Sequence, residues 1–281
     1  MVVWEPPSRD YDILFNEVFD AIGSIEGLGY DDFDADFLSM LIDGWGTHTK
    51  EVWLPINELG DKEGLGFKDG IITMPKEFKE AYRQGIEEGW MATSCKPEHG
   101  GMGVPTFFSA VTWAEYGTSA CMALSVLPAL SIGVYEVLTH HGRQDLIDYF
   151  ASNLATGEWA GTMCLTEPHA GTDLGIISTK AEPQDDGTYR ITGTKIFITY
   201  GEHDMTENIV HLILAKVPGG PEGTKGISLF LVPKYLPSEW EDGGLEGISR
   251  DLNPDHNGVT CSGAEEKMGL HASPTCVMNF E

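Results

Sequence analysis

Basic residues are scarce in this chain of 281 residues: 17 Lys and Arg stand against 44 Asp and Glu, a formal net charge of −27. So acidic a surface repels nucleic-acid phosphates and anionic lipid headgroups, which excludes binding that rests on a basic face. Any anionic substrate would need a local basic patch built from few side chains. Cysteines number five (Cys95, Cys121, Cys164, Cys261 and Cys276), none at C-x-x-C spacing. They read as reduced, buried thiols, not a disulfide frame or a zinc site. A Walker loop and a G-x-S-x-G elbow are also missing. "EHGGMG" (98–103) follows a helical segment instead of a strand, so it is not a dinucleotide fingerprint. "GEHD" (201–204) has no companions at ligand spacing, and no metal is expected. The opening "MVVWEPPSRD" lacks a basic stretch followed by an apolar core, so no secretory signal is expected. The most apolar run, 120–138, contains Pro128, two serines and Glu136, and reads as a buried helix instead of a membrane span. A cytoplasmic protein is the expectation.

What the chain does contain is ordinary globular material, 41% apolar and 22% charged, at a length that suits about two domains. Apolar residues at Tyr11, Leu14, Phe15, Val18, Phe19 and Ile22 form one helical stripe. A second helix is predicted from about Asp34 to Pro55, and a third over 74–90 with Pro75 at its start. The segments 106–118, 120–140 and 143–155 continue helical, with Gly142 and Gly157 as stops. The character then changes. "GEWAGTMCLTE", "GIISTKAEP", "GTYRITG", "TKIFITY", "NIVHLILAKV" and "GISLFLVP" are short, rich in Ile, Val, Thr and Tyr, and punctuated by Gly, Pro or Asp. Asp186-Gly187 and Gly193 read as turns, and the polar excursion 236–258 as a long surface loop. The predicted fold class is α+β: an all-α helical domain, 1–156, followed by a β-barrel- or sandwich-like middle domain, 157–281.

Two segments of the β part could carry chemistry. In "MCLTEPHAGTD" (163–173), Pro168 fixes φ, and Gly171 leaves the backbone bare. Thr166 and Thr172 add hydroxyls, and the amides from Ala170 to Asp173 could receive an anion. A plain polar turn explains the same residues. In "TGTKIFITYG" (192–201), strand alternation puts Phe197 and Thr199 on one side, an aromatic and a hydroxyl that could stack on a planar ring and bond its edge. A core Phe beside a β-favouring Thr explains that pair equally well.

Together and in order, the two segments resemble the acyl-CoA dehydrogenase family of flavoenzymes. "PEHGGMG" (97–103) and "EKMGLHASPTCVMNFE" (266–281) are similar to further family segments. The run from Gly193 to Lys234 resembles one branch most closely, the large dehydrogenases related to 3-(methylthio)propanoyl-CoA dehydrogenase. The resemblance implies FAD as cofactor, lined by backbone groups of Met163 and Leu165 and by the Thr166 hydroxyl on the pyrimidine side. It implies that Gly171 and Thr172 meet the pyrophosphate, with Thr172 also touching the acyl-CoA. Phe197, where many relatives have Trp, would shield one flavin face, with Ile198 beside it, and Thr199 would bond near N5. The implied reaction is α,β-dehydrogenation of an acyl-CoA thioester: a glutamate takes the α proton and the β hydrogen leaves as hydride to the flavin. The implied electron acceptor is an electron-transfer flavoprotein, and the implied substrate a short or sulfur-containing acyl group. The family's C-terminal helical bundle, which carries the catalytic glutamate, has no counterpart in these residues. The expectation is therefore no catalytic base in this chain, an incomplete β domain, and either a homo- or hetero-oligomer with a C-terminal-domain partner or an inactive module.

Overall fold

The structure is a computed structural model that describes residues 3–30, 32–237 and 252–281. Eight α-helices occupy its first part: α1 (Ser8–Asp12), α2 (Ala21–Ile25), α3 (Ala35–His48), α4 (Leu54–Glu63), α5 (Lys76–Glu87), α6 (Thr106–Thr112), α7 (Thr118–His141) and α8 (Gln144–Thr156). α3 begins where the Asp34 carboxylate accepts the Phe37 N–H at 2.8 Å, an N-cap. Its stripe of Leu38, Leu41, Ile42 and Trp45 is buried. α3 itself ends at His48, but the helical path continues past the predicted end near Pro55 to Glu63. A wide helical turn over Thr49–Trp53 joins α3 to α4, and Pro55 stands just after it, in the first turn of α4. The rings of Trp45 and Trp113 stack at 4.3 Å and Trp53 meets both edge-on, which locks this corner of the core.

The all-α expectation for this part overlooked one hairpin, β1 (Gly66–Lys68) with β2 (Ile71–Thr73). Its turn is Asp69-Gly70, both at positive φ (53° and 82°), the backbone that a two-residue hairpin loop requires. The apolar run at 120–138 lies in α7, with Leu124 and Leu127 fully buried and Val134 and Leu138 nearly so. The helical run Thr106–His141 is long and apolar enough to cross a membrane, and α7 within it packs against α8 and β3.

The second part consists of β3 (Trp159–Cys164), β4 (Lys180–Pro183), β5 (Tyr189–Thr199), β6 (Asn208–Lys216), β7 (Ile227–Pro233), β8 (Tyr235–Pro237), β9 (Leu252–His256), β10 (Val259–Ala264) and β11 (Thr275–Phe280). Seven of them form one curled sheet in the order β10-β11-β5-β4-β6-β3, with β7 also paired to β6. β3 runs parallel to β6 and, among the described strands, pairs with it alone. β8 and β9 form a separate ribbon flanking the polar excursion, whose residues 238–251 lie outside the described residues.

Gly193 is not a turn. β5 runs through it unbroken, and only Asp186-Gly187 turns the chain, with the Gln184 N–H donating to the Thr188 carbonyl at 2.9 Å. Gly193 is required by packing: a Cβ there would lie 2.4 Å from Thr179 Oγ1 and 2.9 Å from Thr179 Cα.

The "GEHD" residues are structural. Glu202 pairs with Lys234 at 2.7 Å, both buried. The Asp204 carboxylate accepts the Met74 N–H at 2.9 Å and the Lys79 ammonium at 2.8 Å, tying the sheet to the start of α5. Burial pushes the imidazoles of His203 and His211 down to about 3, so both are neutral. Gly193→Ala should lower stability by roughly 1–3 kcal/mol through overpacking. Urea denaturation checks it; a variant as stable as the parent would show that β4 and β5 can separate to admit a methyl group.

Candidate functional site

The two chemistry-bearing segments lie side by side. β3 leaves the sheet after Cys164, and Glu167 and Ala170 exchange backbone hydrogen bonds at 2.8 and 3.0 Å, closing a tight turn with Pro168 and His169 at its tip. The Ile196 N–H of β5 donates to the Thr166 carbonyl at 2.9 Å. The Lys195 ammonium donates to the Leu165 carbonyl and to Glu167 Oε1, both at 3.0 Å. Backbone and side chain thus join residues 165–167 to residues 195–196.

Glu167 is the centre of this junction. It is 2% exposed and accepts five hydrogen bonds: from Ser178 N (2.6 Å), Ser178 Oγ (2.8 Å), Thr179 N (3.0 Å), Thr179 Oγ1 (2.5 Å) and Lys195 Nζ. Burial alone would raise its pKa. The donors from Thr179 and Ser178 outweigh burial and hold the carboxyl down at about 2. A carboxylate so held stays ionised and faces inward, so Glu167 is not available as a base.

β5 carries a bulge beside this junction. Lys195 pairs with Met278 and Ile198 with Cys276, so Ile196 and Phe197 together oppose Val277. Phe197 takes φ 60°, an uncommon conformation for an aromatic residue. The bulge shifts the alternation: Lys195 is buried, Phe197 is 57% exposed, Ile198 is buried and Thr199 is half-buried. Without it, Phe197 would follow Lys195 into the interior. Ile198, expected beside the cofactor, packs its side chain into the core, so only its backbone remains to meet a ligand.

Met163 is 38% exposed at the end of the edge strand. The Thr166, Thr172 and Thr199 hydroxyls make no hydrogen bond to another described residue, nor do the N–H groups of Gly171, Thr172 and Asp173. Three nearby hydroxyls are engaged: Thr162 with His211 at 2.7 Å, Thr194 with Asn279 at 2.9 Å, and Thr179 with Glu167. Gly171 has room for a Cβ, whose nearest contact would be Thr166 Cγ2 at 3.5 Å, so the chain's own packing does not demand glycine there. Exposed Met163 and Phe197, three hydroxyls and a run of amides without partners among the described residues thus lie on the two segments that the Ile196–Thr166 and Lys195–Leu165 bonds join. A cavity of about 990 Å³ elsewhere, between the end of α7, α8 and β7, contains none of these residues. Among the described residues no cluster of His, Cys, Asp and Glu could hold a metal ion.

Sequence reasoning missed Lys195 and the Ser178-Thr179 pair. A Lys within "TKIFIT" reads as solvent-facing by composition, and its partner lies 28 residues away. Because the Glu167 pKa is depressed on folding, the associated stability is full above about pH 4.3 and is lost as pH falls toward 2. Glu167→Gln should lack that pH dependence and cost roughly 3–5 kcal/mol at pH 7, because it leaves Lys195 charged and unpaired. Denaturation at pH 7 and at pH 3 checks both; equal losses in parent and variant between these pH values would contradict it.

Two family descriptions match the chain: acyl-CoA dehydrogenase, N-terminal domain, over residues 70–158, and acyl-CoA dehydrogenase, middle domain, over residues 162–281. The 3-methylmercaptopropionyl-CoA dehydrogenase of Ruegeria pomeroyi is 42% identical over 252 residues, covering 90% of this chain and 41% of that protein. A broad-specificity linear acyl-CoA dehydrogenase of Mycobacterium tuberculosis is 34% identical over 277 residues, 96% of this chain and 43% of that protein. The structure of butyryl-CoA dehydrogenase from Megasphaera elsdenii superposes with a TM-score of 0.66 at 22% identity, over 88% of this chain and 56% of that one, a likeness of fold. The chain spans about two fifths of the length of the curated relatives it matches. Through its N-terminal and middle domains, it belongs to the acyl-CoA dehydrogenase family.

Proposed function

We propose that this chain forms the flavin- and acyl-facing wall of an FAD-dependent acyl-CoA dehydrogenase acting on short acyl thioesters, sulfur-containing ones included. The observation that carries the reading is the set of unused hydroxyls at Thr166, Thr172 and Thr199 beside the exposed Met163 and Phe197. The residues fit an FAD. Met163 and Phe197 offer apolar surface to a planar ring, and the backbone of Leu165 and Ile198 and the hydroxyls of Thr166 and Thr199 can orient its polar edge. The unpaired amides at Gly171, Thr172 and Asp173 suit a pyrophosphate, where any side chain at position 171 would intrude. Thr172 reaches the acyl-CoA as well. The bound FAD supplies the electron-accepting chemistry, while the wall aligns substrate and excludes water on one side.

Glu167 is committed to the fold and is not the proton acceptor, and on this reading that base comes from a partner that carries the family's C-terminal bundle. The name of the Ruegeria relative favours a sulfur-containing acyl group. Five free, buried cysteines agree with a cytoplasmic protein, and an electron-transfer flavoprotein suits the re-oxidation step.

Native mass spectrometry of the protein from its own host tests the reading: FAD bound to an assembly that contains this polypeptide supports it. A flavin-free chain, alone or with copies of itself, would leave a folded module without turnover. Gly171→Val should change thermal stability by less than about 0.5 kcal/mol while weakening FAD binding at least about tenfold, or 1.4 kcal/mol. Isothermal titration checks it, and unaltered FAD affinity would remove the pyrophosphate from this turn.

A further inference from the structure

Lys195 is completely buried, and lysines are almost never so unless paired. An apolar residue of similar size would cost the fold less than an ion pair does. The pair's contacts are also unequal. Four of the five donors to Glu167 come from Ser178 and Thr179, so most of its charge is shared with groups other than Lys195. The ammonium has the Leu165 carbonyl as its other partner, on the segment that borders the wall. The remaining polar groups here are neutral: burial pushes the Cys164 thiol up to about 12, and His211 is held neutral. His169, exposed, stands 3.7 Å from Glu167 Oε2 on the carboxylate's far side. The positive end of the pair therefore lies on the Leu165 carbonyl, with the ionised Glu167 3.0 Å behind it, in a dry interior where the field of the pair is felt strongly.

We propose that Lys195 is a positioning residue that raises the electron affinity of the flavin held on this wall, acting through the Leu165 carbonyl and countered by Glu167 behind it. The inference rests on the FAD reading above. A positive end at the pyrimidine side favours the electron-richer state of the ring, so the ion pair sets a potential as well as a shape.

The test uses the flavin-loaded protein that contains this chain, and measures the midpoint potential of the bound FAD by spectroelectrochemistry. The double variant Lys195→Met with Glu167→Gln removes the pair without stranding a charge, and its far-UV circular dichroism establishes that it is folded before its potential is read. Its FAD should be harder to reduce by on the order of tenfold in the equilibrium, about 30 mV for a two-electron couple. Lys195→Met alone leaves the Glu167 charge uncompensated and should shift the potential further in the same direction, an ordering that a purely structural role does not produce. Equal potentials in parent and double variant overturn this inference and leave the FAD reading intact. A folded double variant that no longer binds FAD also overturns it, since Lys195 would then hold the ligand instead of tuning it. A parent assembly that takes up no FAD overturns both.

Discussion

The buried contact between Glu167 and Lys195 is the constraint on which the candidate site depends. It joins a turn that leaves one strand to the middle of another strand 28 residues later, and draws Ser178 and Thr179 into the same junction. An ammonium and a carboxylate withdrawn from water are costly, and here nearly every lone pair and proton that faces inward is used. With the inner layer so fully satisfied, the groups left over are those on the other side: the hydroxyls of Thr166, Thr172 and Thr199 and the amides that follow Ala170. The wall is polar and open because its foundation is polar and closed.

The helical part contributes by pressing on the edge strand. Gly161, two residues before Met163, donates its N–H to Ser131 Oγ of α7 at 3.0 Å, and a Cβ there would lie 2.7 Å from Val134. α7 thus lies directly on β3 and fixes where that strand ends. At the other end of the junction, the Tyr200 hydroxyl donates to the Ala123 carbonyl of α7 at 2.6 Å, immediately after Thr199. One helix therefore positions both segments of the wall.

Much of this was legible in the residues. The stretch 163–173 announced itself by combining Pro, Gly and hydroxyls at a strand exit, and the change from helical to strand periodicity near Gly157 marked the two parts. What escaped was non-local or conformational. The Asp69-Gly70 hairpin was hidden by strands of three residues, too short for alternation to show. Gly193 resembled a turn because glycine serves turns and tight packing alike, and only the neighbouring Thr179 separates the two. The exposure of Phe197 follows from a bulge at positive φ, which period-two reasoning cannot anticipate; that reasoning put Phe197 and Thr199 together while implying that Lys195 shared their side. The burial of Lys195 depended on a partner that only the folded chain brings near.

FAD is proposed to lie on the wall formed by residues 163–173 and 196–199. Hydrogen–deuterium exchange with and without added FAD tests it, because the amides of Gly171, Thr172 and Asp173 have no hydrogen-bond partner among the described residues and should exchange quickly in the free protein. The account predicts that FAD slows exchange at 171–173 and around Phe197 and Thr199 and leaves β7 unchanged. FAD that slows exchange only elsewhere, or nowhere, would contradict it.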